Sequence, residues 1–159
     1  MSHGSKPRKP RWIAQTDTMA LACRRASLVT EAELQDVMQP LQAAFKAMRE
    51  GVATEWQWSH LASSVNAALA IERFGVVKGM HEHLRAADLA LQGIYRRAMT
   101  KCEWHSTPLY YFELDALDTA INLHKFQLTQ LSRGEVIRAL DYAKAEVLST
   151  GGKVLEVIS

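Results

Sequence analysis

A cluster of cationic side chains opens the chain, in the segment SKPRKPR. Its members are Lys6, Arg8, Lys9 and Arg11. Pro7 and Pro10 interrupt the cluster, and proline disfavours helix and favours an extended backbone, so the charges can spread along successive phosphates. We predict that residues 1–12 form a disordered basic tail that binds nucleic acid without sequence preference. The alternative is a solvated leader with no partner.

The remainder of the chain is not basic. The net charge is +2 with neutral histidines, and subtracting the four tail cations leaves −2. Any attraction for nucleic acid must therefore come from the tail or from a local patch. Arg133 and Arg138, in the last predicted helix, are the further candidate nucleic-acid contacts.

No residue pattern indicates catalysis or a resident metal. The chain contains no Glu-x-x-His pair of the di-iron bundle type, no H-E-x-x-H and no glycine-rich phosphate loop. Cys102 and His105 have the spacing of half a zinc site, but no second half lies near them in the sequence. We therefore expect a non-catalytic protein with no cofactor and no metal.

The cysteine content and the hydropathy pattern bear on location. Cys23 and Cys102 are too few for a disulfide scaffold, and they indicate reduced thiols in a cytosol. No apolar run approaches the roughly 20 residues that a membrane helix needs. The basic start is not followed by an apolar signal core. We expect a cytoplasmic protein with no membrane partner.

The elements that must position these residues are helical. Capping boxes predict the starts of three helices, at Thr30–Glu33, Thr54–Gln57 and Ser132–Glu135. Thr107-Pro108 predicts a fourth start. A helix from about 76 to 99 followed by the loop TKCEWHST, and a short helix near 17–27, complete the set. Pro40 predicts a kink or break near Met38–Gln39.

Two of the predicted helices carry long apolar seams with steps of three and four residues. One seam runs from Val77 to Ala98 and the other from Tyr110 to Leu131. Because two such seams exceed what a monomer of this size needs, they favour a homodimer. His124 is the only polar residue of the second seam. We interpret it as an edge position with wet ring nitrogens; the alternative is a pH-sensitive or register-setting group.

These elements predict an all-α fold. We expect a single helical bundle of five to six helices over residues 13–150, with a disordered basic N-terminal tail and a C-terminal tail at 151–159. The last two helices meet at a short turn, as in a helix-turn-helix. Against DNA reading by the second of them, Glu135 and Asp141 accompany its arginines.

Two segments carry a resemblance to a known group of proteins. GVATEWQWSHLASSVNAALAIERFGVV (51–77) and LHKFQLTQLS (123–132) resemble small helical proteins of proteobacterial phages, prophages and plasmids, some of which are labelled Fis-like regulators. The similarity spans about residues 6–142 and brings no catalytic residues with it. It implies a bacterial cytoplasm and an accessory role in a mobile element, either in transcription regulation or in anti-defence.

We therefore expect a DNA-associated regulator with a basic N-terminal arm. The alternative is a protein-binding inhibitor or adaptor that acts on a host protein complex through a helical face. A basic strip adjoining the tail would favour the first function, and an acidic partner-facing surface would favour the second.

Overall fold

The computed structural model describes residues 11–75 and 77–149, with side chains described from residue 19 onward. Within these ranges the elements are α1 (Arg11–Ala26), α2 (Glu31–Arg49), α3 (Glu55–Phe74), α4 (His81–Ala98), β1 (Met99–Thr100), β2 (Glu103–Trp104), α5 (Tyr111–Gln130) and α6 (Arg133–Ser149). The predicted all-α bundle is confirmed. Over the same residues, none of the helices combines the length and apolar character needed to cross a membrane.

The three predicted capping boxes form. In each, the backbone amide of the cap residue donates to the side chain of the third helical residue. The pairs are Thr30–Glu33, Thr54–Gln57 and Ser132–Glu135, at 2.8, 2.9 and 2.8 Å. Each box satisfies amides that a helix leaves free at its first turn, so the starts of α2, α3 and α6 are set by local sequence.

Three other helix starts differ from prediction. α1 begins at Arg11, so Arg11 and Trp12 belong to a helix and not to the tail. α4 begins only at His81, because the Glu72 carboxylate accepts the amides just before it, those of Gly79 and Met80, at 2.8 and 3.2 Å.

α5 begins at Tyr111 and not at Thr107-Pro108. Glu113 accepts the backbone amide of Tyr110 at 2.8 Å and so caps the helix there. The predicted break in α2 does not occur, since the helix continues through Pro40. Leu34, Met38 and Leu41 are buried on its inner face, and this packing outweighs the one hydrogen bond that the proline removes.

α3 is the central helix. It packs against α2, α4, α5 and α6. Leu61, Val65 and Ile71 are buried together with the small residues Ala68 and Ala70. The small side chains let neighbouring helices approach on more than one side of α3.

Apart from the exposed Tyr110 at the start of the second seam, both long seams face the chain's own core. On α4, Leu84, Leu91 and Ile94 are buried, and on α5, Leu117 and Leu128 are buried. Contacts between α4 and α5, and of each with α3, account for this burial. The seams are therefore buried when a single chain folds, so they do not support the predicted homodimer.

The predicted loop after α4 is a small hairpin. β1 pairs antiparallel with β2, and the turn residues Lys101 and Cys102 have φ of 53° and 63°. Positive φ at both central residues is the backbone of the tight turns that join twisted strands. Trp104 fixes the hairpin on the bundle by donating from its indole nitrogen to the Ala53 carbonyl at 2.8 Å. Strands of two residues are too short to show an alternating pattern.

Leu117→Ala should lower the free energy of unfolding by about 2–5 kcal/mol, through lost burial and an enlarged cavity. Leu117 is fully buried and already borders a small void beside Leu41 and Leu61. Urea denaturation of both proteins measures the difference. The matched control is Leu148→Ala, at a leucine that is 63% exposed, which should change stability by less than about 0.5 kcal/mol. Equal effects of the two substitutions would contradict the core assignment.

Candidate nucleic-acid interface

The predicted nucleic-acid contacts fall into three groups. Lys6, Arg8 and Lys9 lie outside the described residues. Arg11 is the first residue of α1. Arg133 and Arg138 both lie in α6, but the structure gives them different surroundings: Arg138 is exposed, whereas Arg133 is half-buried in an ion pair.

α1 is docked on the start of α6. The Arg133 amide donates to the Ser27 carbonyl at 3.1 Å, and Leu28 forms a β-bridge with Ser132. Gly134 lies so close to α1 that an added Cβ would be 3.0 Å from the Arg25 carbonyl oxygen. A side chain here would force the neighbouring backbone to move by a few tenths of an ångström, so the glycine favours direct packing of the end of α1 on α6.

The Arg133 guanidinium links three helices. Its Nε donates to Glu33 at 2.8 Å and its Nη2 donates to the other carboxylate oxygen, while Nη1 donates to the Ser27 hydroxyl and, at 3.4 Å, to the Arg24 carbonyl. The hydrogen bonds from Arg133 and from the Thr30 amide lower the pKa of Glu33 to about 2. Because these donors are committed inside the protein, we assign Arg133 a structural role and not the predicted phosphate contact.

Three exposed guanidiniums surround this junction. Arg24 and Arg25 lie in the last turn of α1, and Arg138 lies one turn into α6. Arg138 donates from Nε to the Gly134 carbonyl at 3.3 Å and sits 6.0 Å from the Phe74 ring centroid. The arginine pair was not singled out from the sequence, because basic residues in a last helical turn are ordinary partners of the helix dipole.

A groove separates α1 from α6, and it carries mixed charge. We call it the α1–α6 groove; its lining includes Leu21, Arg25, Ile137, Arg138 and Asp141. Asp141 is exposed there among the arginines. The basic surface is therefore concentrated on the α1 side of the groove and does not extend evenly along α6.

α6 does not have the character of a base-reading helix. It packs against α3 and α1, and its exposed residues include Arg138, Asp141 and Lys144. Hydrogen bonds from the Ser132 amide and hydroxyl lower the pKa of Glu135, so this acid stays ionised near the start of the helix. The mixture of signs is unfavourable for a face that would meet base edges in a groove lined by phosphates.

A second polar site lies in the core, at His124. The side chain is only 6% exposed, so the predicted edge position with wet nitrogens is wrong. Its Nδ1 lies 3.4 Å from Gln127 Oε1, and Gln127 donates from Nε2 to the Ala68 carbonyl on α3 at 3.0 Å. The pair therefore joins α5 to α3 through polar contacts inside an apolar core. Gln127 was missed because it lies beside the seam and not in it.

The described residues include His, Cys, Asp and Glu side chains, which are the common metal ligands of proteins. No group of three His, Cys, Asp or Glu side chains among them is placed to hold a metal ion. Cys102 and His105 are both exposed on the hairpin. Exposed guanidiniums bind anions and do not by themselves perform acid–base or nucleophilic steps, so the arrangement suits binding.

Comparison of the chain with protein-family models, with curated proteins and with solved structures yields no match. The residues described above are therefore the basis of the functional proposal.

We predict that the free energy of unfolding falls as the pH drops below about 6.5, because of His124. Burial lowers its pKa from 6.5, partly opposed by the Gln127 hydrogen bond. The unfolded chain thus takes up a proton at a higher pH than the folded one, and stability present above pH 6.5 is lost below it. Between about pH 7.5 and pH 5.5, the free energy of unfolding measured by denaturation should change less for His124→Gln than for the wild type. His83→Gln, at an exposed histidine, should retain the wild-type difference.

Arg133→Met should detach α1 while leaving the rest of the bundle folded. The substitution removes the guanidinium that holds Ser27, the Arg24 carbonyl and Glu33. Trypsin should then cut after Arg25 faster than in the wild type, because a detached helix exposes its backbone. Arg85→Met, which breaks an exposed pair with Asp88, is the control and should not change that rate. In the wild type, the stability that Glu33 contributes should be fully present above about pH 4.5 and should be lost progressively as the pH falls from there through about 2.

Proposed function

We propose that this protein is a non-catalytic, DNA-associated regulator that binds the phosphate backbone through basic residues at the two ends of α1 and in the segment before it. The observation that supports this most directly is the exposure of Arg24 and Arg25 on the helix that begins at Arg11. Lys6, Arg8 and Lys9 immediately precede that helix in the chain. Arg11, Arg24 and Arg25 put positive charge at both ends of α1, with Asp17 between them, and this charge next to the basic segment supports DNA over a protein partner.

The length of α1 suits contact with several phosphates. Arg11 and Arg24 are thirteen positions apart, which is about 20 Å at 1.5 Å per residue. Duplex DNA carries one charge per roughly 1.7 Å of axis, so a 20 Å helix spans many phosphates. Basic groups at both ends of α1 could thus contact phosphates about six base pairs apart. Such contacts position a protein on DNA without reading its sequence.

The residues around α1 both extend and limit its basic surface. Arg138 extends the basic surface across the α1–α6 groove, whereas Asp141 limits it. The role of Arg133 in this proposal is to hold α1 in place through Glu33. A bacterial cytoplasmic location and an accessory role in a mobile element follow from the resemblance to phage and plasmid proteins, and they are part of the proposal.

The test is the salt dependence of binding to a duplex of arbitrary sequence. Each phosphate contact contributes about 0.9 to the log–log slope. Deleting residues 1–10 removes Lys6, Arg8 and Lys9 and should reduce the slope by about 2.7. Arg24→Gln with Arg25→Gln should reduce it by about 1.8. The Arg24 and Arg25 substitutions should not alter the melting temperature appreciably, since both side chains are exposed.

The matched control is Arg49→Gln, at an exposed arginine in the last turn of α2. It lies sixteen positions from Glu33, or about 24 Å along the helix, and should leave the slope unchanged. Full-length protein that does not bind DNA at low salt would contradict the proposal. Equal losses from Arg49→Gln and from the α1 variants would show only a general charge effect.

A second candidate function has a specific observation in its favour. Tyr110, Tyr111 and Phe112 form an exposed aromatic run at the start of α5. Exposed aromatic side chains are typical of protein interfaces. If DNA binding is not found, a protein-binding inhibitor or adaptor of a host complex is the function to test, with this run as the first site to mutate.

A further inference from the structure

The outer face of α4 repeats with the period of a helix-pairing surface. Its members follow one another at steps of four, three, four and three: Glu82, Ala86, Leu89, Gly93 and Arg96. All are exposed except Gly93, which is half-buried, and Leu89 is 57% exposed. This face is distinct from the inner seam that α4 buries in the core, so folding leaves it without a partner in the described structure.

α5 extends this face into an apolar groove. Phe112, 65% exposed, lies along one side of the groove, and Ala86, Leu89, Ala90 and Gly93 line the other. The residue before Phe112 is Tyr111, the first residue of α5, and it is 85% exposed. We call the outer face of α4 together with Phe112 the α4–α5 face. Contiguous apolar surface of this kind marks an interaction site more often than isolated exposed residues do.

A buried ion pair makes the base of the groove electrically balanced. Arg97 donates two bonds to Glu113, at 2.7 and 2.6 Å, and Glu113 is 2% exposed. The Arg97 guanidinium also lies 4.5 Å from the Tyr110 ring centroid. The hydrogen bond to Glu113 raises the pKa of Arg97 above its usual value. A partner can therefore cover the groove without desolvating an uncompensated charge.

We propose that the α4–α5 face binds the same face of a second copy of this chain, with the two α4 helices antiparallel across a two-fold axis at Leu89. In that register Leu89 meets its symmetry mate. Glu82 of each copy lies opposite Arg96 of the other, and Ala86 lies within one residue of the position opposite Gly93. Each α4 has an acid, Glu82, near one end and a base, Arg96, near the other. Opposite charges therefore meet only when the two helices run in opposite directions.

Three features select a second copy as the occupant. The charges at the two ends are complementary to themselves under a two-fold rotation, as an isologous interface requires. The small residues Ala86 and Gly93 lie nearly opposite each other and allow the helix axes to approach closely. Phe112 of each copy then covers the flank of the other copy's α4. This inference concerns a different surface from the α1 residues and does not depend on the proposed DNA binding.

The first experiment is symmetric cross-linking of the full chain in a Cys23→Ser, Cys102→Ser background, since both native cysteines are exposed. Leu89→Cys should form an intermolecular disulfide under mild oxidation, because a residue on the two-fold axis brings its own mate within disulfide range. Val37→Cys, at an exposed apolar position on α2 that is 45% exposed, is the control. Cross-linking of Leu89→Cys no faster than that of Val37→Cys would overturn the proposal.

The second experiment tests the register by charge reversal, with sedimentation equilibrium as the measurement. Glu82→Arg and Arg96→Glu should each weaken the dimer by roughly tenfold, because each places two like-charged contacts across the axis. The double variant should restore the wild-type dissociation constant. Since both positions are exposed, circular dichroism should show the same helix content in all variants. A wild-type protein that is monomeric at every accessible concentration would overturn the proposal, and so would a double variant no better than the single ones.

Discussion

The burial of α3 on several sides is the constraint on which the rest of the structure depends. α3 contacts α2, α4, α5 and α6, and small residues such as Ala68 and Ala70 let those helices approach. Since α6 is packed on α3 and α1 is packed on α6, the helix that carries Arg24 and Arg25 is joined to the core through α6, and the Arg133–Glu33 pair adds a link to α2. A change in α3 packing would therefore alter the position of the candidate DNA surface on α1, although no residue of α3 is part of that surface.

Polar groups fix how the helices are joined around this core. Glu113 is almost fully buried and is satisfied by Arg97 and the Tyr110 amide, which determines where α5 begins. Gln127 bridges His124 to α3. Removing one partner from such a group leaves a desolvated polar atom, which costs more than the intact pair contributes. These contacts therefore exclude alternative helix packing arrangements more than they add to the stability of the bundle.

The sequence predicted the features that depend on neighbouring residues and missed those that depend on distant ones. Capping boxes at Thr54 and Ser132 are local, and both helix starts were correct. The α4 start depends on Glu72 of another helix, and the position of α1 depends on Arg133 and Glu33, one hundred residues apart. No pattern in a single sequence encodes such a pairing. The outer face of α4 was overlooked because the stronger inner seam dominates the apolar signal of the same helix.

The two candidate surfaces rely on different forces, so ionic strength separates them. Contacts between arginine and phosphate release counterions and weaken steeply as salt rises. The α4–α5 face is mainly apolar around Leu89 and Phe112, and burial of apolar surface is insensitive to screening at moderate salt. Only its end contacts, Glu82 and Arg96, are screened, and exposed pairs contribute little. At high salt the protein should therefore lose DNA while the two copies remain associated, so the loss of one interaction does not require the loss of the other.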